Sequence, residues 1–94
     1  MSVNMLTLEL GNVMALSESE VVRKGLLALI EKEIRLAEHE IAEIRERYDA
    51  LTHEVLLRAI QNGAVAGHPA WEDYIVWKNK ENHIARLRQV AIKN

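Results

Sequence analysis

The sequence predicts a mainly α-helical homodimer with a short N-terminal strand or hairpin, and two patterns support this. Apolar residues recur at heptad spacing between positions 27 and 51, and no proline or glycine interrupts residues 26–62. Leucines 6, 8 and 10 alternate with other residues, as in a half-buried strand. We therefore expect one domain over residues 1–94, with four elements: a strand or hairpin at 3–16, a long helix at 18–50, a short helix at 53–61 and a C-terminal helix at 69–92.

The N-terminal element is expected to need a partner. Gly11 and Asn12 form a plausible two-residue turn between a strand that ends at Leu10 and a second strand over residues 13–16. An isolated hairpin is only marginally stable, so this one must pack on a helix or pair with another chain. The sequence leaves both arrangements open.

Capping signals set the helix boundaries. Ser17 and Glu20 have the spacing of a capping box, which predicts the start of the long helix. Thr52 is a suitable N-cap for the short helix, and Gly63 can end that helix in a left-handed conformation. Pro69 favours the first turn of the C-terminal helix.

The long helix carries a continuous apolar seam with alternating spacings of three and four residues, which is typical of helix–helix packing. A helix of this length measures about 50 Å, whereas a compact chain of this size spans only about 32 Å. We therefore expect the seam to mediate self-association; the alternative is that it packs on its own chain. The seam consists of Leu27, Ile30, Ile34, Ala37, Ile41, Ile44, Tyr48 and Leu51.

Charges beside the seam favour an antiparallel arrangement of the two long helices. The flanking positions are acidic near Glu31 and Glu33 and basic at Arg45 and Arg47. An antiparallel pair brings these opposite charges together, although exposed ion pairs contribute at most about 1 kcal/mol each. Acidic residues also outnumber basic ones over residues 18–49, while bases dominate residues 74–94, so the two regions should attract each other.

Composition excludes several classes of function. A formal net charge of −2 argues against nucleic-acid binding through bulk electrostatics, which needs clustered Lys and Arg. The absence of cysteine excludes disulfides and thiolate metal sites and favours a cytoplasmic protein. No apolar run approaches the length of a membrane span, so we expect no membrane insertion.

The residues that could support chemistry lack the required spacing. The four histidines form neither a His-Glu-x-x-His nor a Glu-x-x-His motif, and the four glycines are isolated from one another. Ser17 and Ser19 lie at a helix start, where a capping role accounts for Ser17. We therefore expect a non-enzymatic protein with no catalytic residues, no metal site and no cofactor.

Residues 68–77 form the most distinctive segment, since they contain three of the four aromatic residues. Tyr74 and Trp77 share a helical stripe with later apolar residues and are expected to be core. Trp71 and Ile75, four residues apart, lie on a different side of the same helix. Because tryptophan commonly anchors interfaces, we expect Trp71 and Ile75 to bind a partner protein.

Residues 16–26, Leu-Ser-Glu-Ser-Glu-Val-Val-Arg-Lys-Gly-Leu, resemble the start of the second helix in ribbon-helix-helix proteins. Together with Met5–Leu10, which resembles the strand of that fold, the local resemblance covers residues 5–26. It implies a small DNA-binding regulator in which a paired strand presents Asn4, Thr7 or Glu9. The lack of Lys and Arg in this strand weighs against that alternative.

The whole chain, especially residues 33–38 (Glu-Ile-Arg-Leu-Ala-Glu) and 68–73 (His-Pro-Ala-Trp-Glu-Asp), resembles a family of short uncharacterised prokaryotic proteins, some of them antitoxin-like. This resemblance implies a cognate protein partner and brings no catalytic residues. The sequence thus favours a protein-interaction module, antitoxin-like in role. The identity of the partner and any binding of nucleic acid stay open.

Overall fold

A computed structural model describes residues 3–93, and this range contains four helices and no strand. The helices are α1 (Val3–Met14), α2 (Glu18–Tyr48), α3 (His53–Gln61) and α4 (Gly67–Lys93). The chain divides into two compact units, one ending at Lys32 and the other beginning at Glu33. The mainly α-helical prediction is confirmed, and the single domain stays a prediction.

The predicted strand or hairpin at residues 3–16 is wrong, because α1 occupies this segment. Leu6, Leu8 and Leu10 do alternate, but Leu6, Leu10 and Val13 also recur at the i, i+4, i+7 spacing of a helix. The spacing of apolar residues in so short a run therefore does not distinguish a strand from a helix. The expected turn at Gly11 and Asn12 lies inside α1, whose helical hydrogen bonds satisfy the backbone without a second strand.

The predicted helix starts are confirmed by side-chain caps. The hydroxyl of Ser17 accepts a hydrogen bond from the Glu20 backbone N–H (3.2 Å) and donates one to the Glu20 carboxylate (3.0 Å). Thr52 caps α3 by accepting from the backbone N–H of Val55 (3.3 Å). In α4, His68 is extended because it precedes a proline, so regular helix follows from Pro69.

Three helices end in the same way, with a left-handed residue followed by a six-to-one backbone hydrogen bond. The left-handed residues are Ala15 after α1, Asp49 after α2 and Gly63 after α3, with φ of 55°, 51° and 74°. The closing bonds run from Leu16 to Gly11, from Ala50 to Arg45 and from Ala64 to Ala59, at 2.9, 3.1 and 2.9 Å. Only Gly63 is the residue type that this conformation favours.

The buried core lies entirely in the second unit. It is built around Trp77 and Leu56, both fully buried, and joins the C-terminal part of α2 to α3 and α4. Tyr74 and Ile84 are also buried, as the aromatic stripe predicted. The core residues are Ala37, Ile41, Ile44, Ala50, Leu56, Ala70, Tyr74, Trp77 and Ile84.

Candidate interaction surfaces

In the second unit, the heptad seam of α2 packs inside its own chain. Ala37, Ile41 and Ile44 are 3–4% exposed and belong to the core that contains Trp77. For these three residues, packing on the same chain is therefore the observed arrangement. Self-association through the complete seam stays a prediction, and these residues are not accessible to a second copy while the unit is folded.

Helix α4 runs antiparallel to α2 and is joined to it by ion pairs, while the antiparallel pairing of two long helices from different copies stays a prediction. Ion pairs join Arg47 to Asp73 (2.9 Å) and Glu40 to Lys80 (2.9 Å), and the third, between Glu38 and Arg88, is looser at 3.6 Å. Residue numbers fall along α2 as they rise along α4, so the helices run in opposite directions. The attraction expected between the acidic and basic regions thus acts within one chain.

Arg45 and the charges near it line one side of the α2–α4 pair. Its guanidinium lies 5.6 Å from the Trp77 ring centroid, and its Nε donates to the Leu51 carbonyl (3.0 Å). A shallow groove of about 520 Å³ beside it has two acidic and two basic side chains among its lining residues. This balance gives the groove no preference for a cation or an anion.

The remaining seam residues are less buried. Leu27 and Ile30 in the first unit and Ile34 and Tyr48 in the second are half-buried. Leu51 is 82% exposed, because α2 ends at Tyr48 and the chain bends before reaching it. The structure therefore divides the seam into a buried central segment and more accessible ends.

Asp73 connects the end of α2 to the start of α4. Its Oδ2 atom accepts hydrogen bonds from the Arg47 guanidinium and from the Tyr48 hydroxyl. The pKa of Tyr48 is raised, first because burial disfavours the phenolate and then because of the hydrogen bond to Asp73. The same carboxylate raises the pKa of Arg47. This cluster fixes the end of α2 against the start of α4.

His53 is the histidine most involved in packing. Its ring meets Tyr74 and Trp77 edge-on, with centroids 5.8 and 6.3 Å away. Its Nε2 lies 3.2 Å from the Glu81 carboxylate, which also accepts a hydrogen bond from the Trp77 indole (2.9 Å). The neighbouring Glu54 has a lowered pKa, chiefly because its carboxylate accepts from its own backbone N–H. His53 thus joins α3 to α4.

The other three histidines, His39, His68 and His83, are exposed. His39 lies 3.4 Å from Glu43, and His68 lies 3.3 Å from Glu72, each four residues further along. Within residues 3–93, no three His, Cys, Asp or Glu side chains are grouped so that they could hold a metal ion.

The predicted partner-binding residues lie at the surface of the second unit. Trp71 is 48% exposed and Ile75 is 42% exposed, whereas Trp77 on the same helix is fully buried. The Trp71 ring stacks on Tyr74, with centroids 5.4 Å apart and an interplanar angle of 29°. The structure therefore brings Trp71 and Ile75 together on an accessible face, and their binding role stays a prediction.

A second apolar surface, in the first unit, was missed by sequence reasoning. In α1 and the part of α2 that follows it up to Lys32, nine large apolar side chains are 43–84% exposed. The composition of α1 could have indicated this surface, because Glu9 is the single charged residue among its twelve. We give the name N-terminal apolar surface to the seven of these nine side chains that follow one helix face in α1 or α2: Leu6, Leu10, Val13, Met14, Val22, Leu26 and Leu29.

One family model matches residues 1–92 of the sequence. The chain belongs to the uncharacterized protein MJ0235 family. The match supports the resemblance to a family of short uncharacterised proteins, and it carries no statement about antitoxins or ribbon-helix-helix proteins. No curated protein and no solved structure matches this MJ0235-family chain.

The helices of this MJ0235-family protein differ from membrane-spanning helices. Over residues 3–93, none of them combines the length and the apolar character that crossing a bilayer needs.

Proposed function

We propose that this protein is a non-catalytic interaction module that binds a cognate protein through the face of α4 containing Trp71 and Ile75. The observation that supports this most directly is the contrast between the two tryptophans of one helix. Trp77 is fully buried and anchors the helix, while Trp71 is 48% exposed. A helix fixed on one side and apolar on the other is suited to receiving a partner.

The surroundings of Trp71 favour an interface anchor. Its ring is already stacked on Tyr74, which is itself a buried core residue. A side chain held in place before binding loses little conformational entropy when a partner arrives. Ile75 lies one turn further along the helix and extends the apolar area. Tryptophan anchors of this kind commonly dominate binding energy.

In its more specific form, the proposal is that the chain is the antitoxin-like member of a two-gene module and restrains its partner by binding it. The proposal also includes a homodimer, which the exposed apolar residues of the first unit support. The alternative regulator, which would read DNA with a paired N-terminal strand, is not proposed, because α1 replaces that strand.

The test is co-expression with the product of the neighbouring gene, followed by affinity purification through a tag on that product. We expect the two proteins to purify together. Trp71→Ala should weaken binding by about 2 kcal/mol, or roughly thirtyfold in Kd. Ile92→Ala is the matched control, because Ile92 is 76% exposed on the same helix and lies outside the proposed face.

Two results would contradict the proposal. One is that the neighbouring product does not purify with the chain. The other is that Trp71→Ala and Ile92→Ala bind it as tightly as the unmodified protein does.

A further inference from the structure

The first unit has no apolar core of its own. Among its described residues, Gly11 alone is buried, and no large apolar side chain is. In α1, Gly11 lies close to Val21 of α2: a Cβ added to Gly11 would be 3.6 Å from Cγ2 of Val21. The large side chains of α1 meanwhile remain exposed. A helix packed on its own chain buries its large apolar side chains. Helix α1 instead buries a glycine and exposes its large apolar side chains.

The exposed residues form stripes on both helices. In α1, Leu6, Leu10 and Val13 follow the i, i+4, i+7 spacing of one helix face and are 57%, 43% and 84% exposed. In α2, Val22 and Leu26 share a face with Leu29, each about half exposed. A 12-residue helix is marginal in water without packing, so α1 needs its apolar face covered.

The exposed area is large enough for a stable interface. At roughly 100 Å² each, the seven side chains expose about 700 Å², more than the largest patch of a typical monomer, about 300–600 Å². A standard protein–protein interface buries about 800 Å² on each partner. The N-terminal apolar surface therefore matches one half of an ordinary dimer interface.

The chemistry of α1 argues against a membrane as the occupant. Helices that lie on membranes carry Lys and Arg on their polar face. The only charged residue of α1 is Glu9, and in residues 18–29 of α2 two acidic side chains balance two basic ones, so the segment carries no basic excess for anionic headgroups. A protein surface of matching apolar character is the better complement.

We propose that the N-terminal apolar surface binds the same surface of a second copy of this chain, forming an intermolecular helix bundle. This inference rests on the proposed function and identifies one partner as the chain itself. A second copy is present whenever the protein is made, so it can cover this surface whether or not a cognate protein is bound at Trp71 and Ile75. The interface also leaves the buried seam residues Ala37, Ile41 and Ile44 in their own chain.

The test is sedimentation of the full chain at micromolar concentration, compared with two variants. We expect the unmodified protein at twice the chain mass of 10.7 kDa. Leu10→Asp should sediment as a monomer, because it places an unpaired charge at the centre of the stripe. Ile92→Asp, at an exposed apolar residue outside the surface, should remain a dimer. A monomeric unmodified chain, or a Leu10→Asp variant that is still dimeric, would overturn the inference.

Cross-linking gives a measurement that does not depend on a destabilising charge. The chain has no cysteine, so a single Leu10→Cys substitution introduces the only thiol. Because Leu10 lies in the paired surface of both copies, a flexible bismaleimide cross-linker should join the two thiols into a covalent dimer. Ile92→Cys should not cross-link. An absence of cross-linking at Leu10→Cys, or equal cross-linking at both positions, would overturn the inference.

The two proposals fail in different ways. Leu10→Asp should lose the dimer and still purify with the neighbouring gene product, whereas Trp71→Ala should lose that partner and still form the dimer. A monomeric unmodified chain that instead sediments with phosphatidylcholine–phosphatidylglycerol vesicles would identify a membrane as the occupant and overturn the self-association.

Discussion

The guanidinium of Arg47, in the last turn of α2, donates a 2.9 Å hydrogen bond to the carboxylate of Asp73 near the start of α4. The residues are 26 positions apart in the sequence. Tyr48, the next residue of α2, donates its hydroxyl hydrogen bond to the same carboxylate oxygen. One side chain of α4 therefore fixes the end of α2, and this relationship has a measurable pH dependence.

Stability should fall at alkaline pH because of Tyr48. Its pKa is raised in the folded protein, so the folded state holds the phenolic proton more tightly than the unfolded state does. This contribution is complete below the unfolded pKa of about 10 and is lost as the pH rises through the folded value. Urea unfolding across this range should show a steeper alkaline decline for the unmodified protein than for Tyr48→Phe.

Asp73→Asn provides the companion measurement. Removing the negative charge should lower the pKa of Tyr48, which the tyrosinate absorbance reports, and weaken the charge-assisted hydrogen bond from its hydroxyl. The expected loss of stability from that bond is about 1 kcal/mol. An unchanged tyrosine titration in Asp73→Asn would contradict the role assigned to this carboxylate.

Two glycines in helices should respond in opposite ways to alanine. A Cβ at Gly11 would lie 2.8 Å from the backbone carbonyl oxygen of Leu16, which is too close, so Gly11→Ala should disrupt the end of α1. A Cβ at Gly25 meets nothing within 4 Å, so Gly25→Ala should stabilise α2 by about 0.5–1 kcal/mol. Thermal unfolding followed by circular dichroism should lower Tm for the first and raise it for the second.

Substitutions at the three left-handed residues that end α1, α2 and α3 should change stability by different amounts. Ala15 adopts a positive φ that is unfavourable for a residue with a Cβ, so Ala15→Gly should stabilise the protein by about 0.5–1 kcal/mol. Asp49→Gly should gain less, because aspartate tolerates this conformation. Gly63→Ala should destabilise. Denaturant midpoints should therefore follow this order, and a midpoint for Ala15→Gly below that of the unmodified protein would count against the assigned backbone strain.

Core and surface tryptophans should separate folding from binding. Trp77→Ala removes a fully buried ring from contact with His53 and Arg45, and we expect it to cost about 3–5 kcal/mol of unfolding free energy. Trp71→Ala removes a half-exposed ring and should leave the urea midpoint much closer to that of the unmodified protein. Equal destabilisation by both substitutions would show that Trp71 is also structural.

Local signals in the sequence were sufficient for most helix boundaries. The side chain of Ser17 caps α2, Thr52 caps α3 and Gly63 ends α3 as predicted. These effects act over a few residues and need no tertiary contact. The prediction of a strand at residues 3–16 was wrong because the short apolar run fits the spacing of a strand and also that of a helix. The helix end at Ala15 was missed because no glycine marks it.

The sequence by itself determined a mainly helical chain, the caps of α2 and α3, and an apolar seam on α2 that is typical of helix packing. Only the tertiary structure decided that α4 covers the central part of this seam, through Ile41, Ile44 and Trp77. Heptad spacing identifies the face that a helix buries, and the flanking charges favour one direction of the helix that packs on this face. Both are satisfied equally by the same chain and by a second copy, so the choice depends on whether the connection through α3 lets α4 fold back against α2.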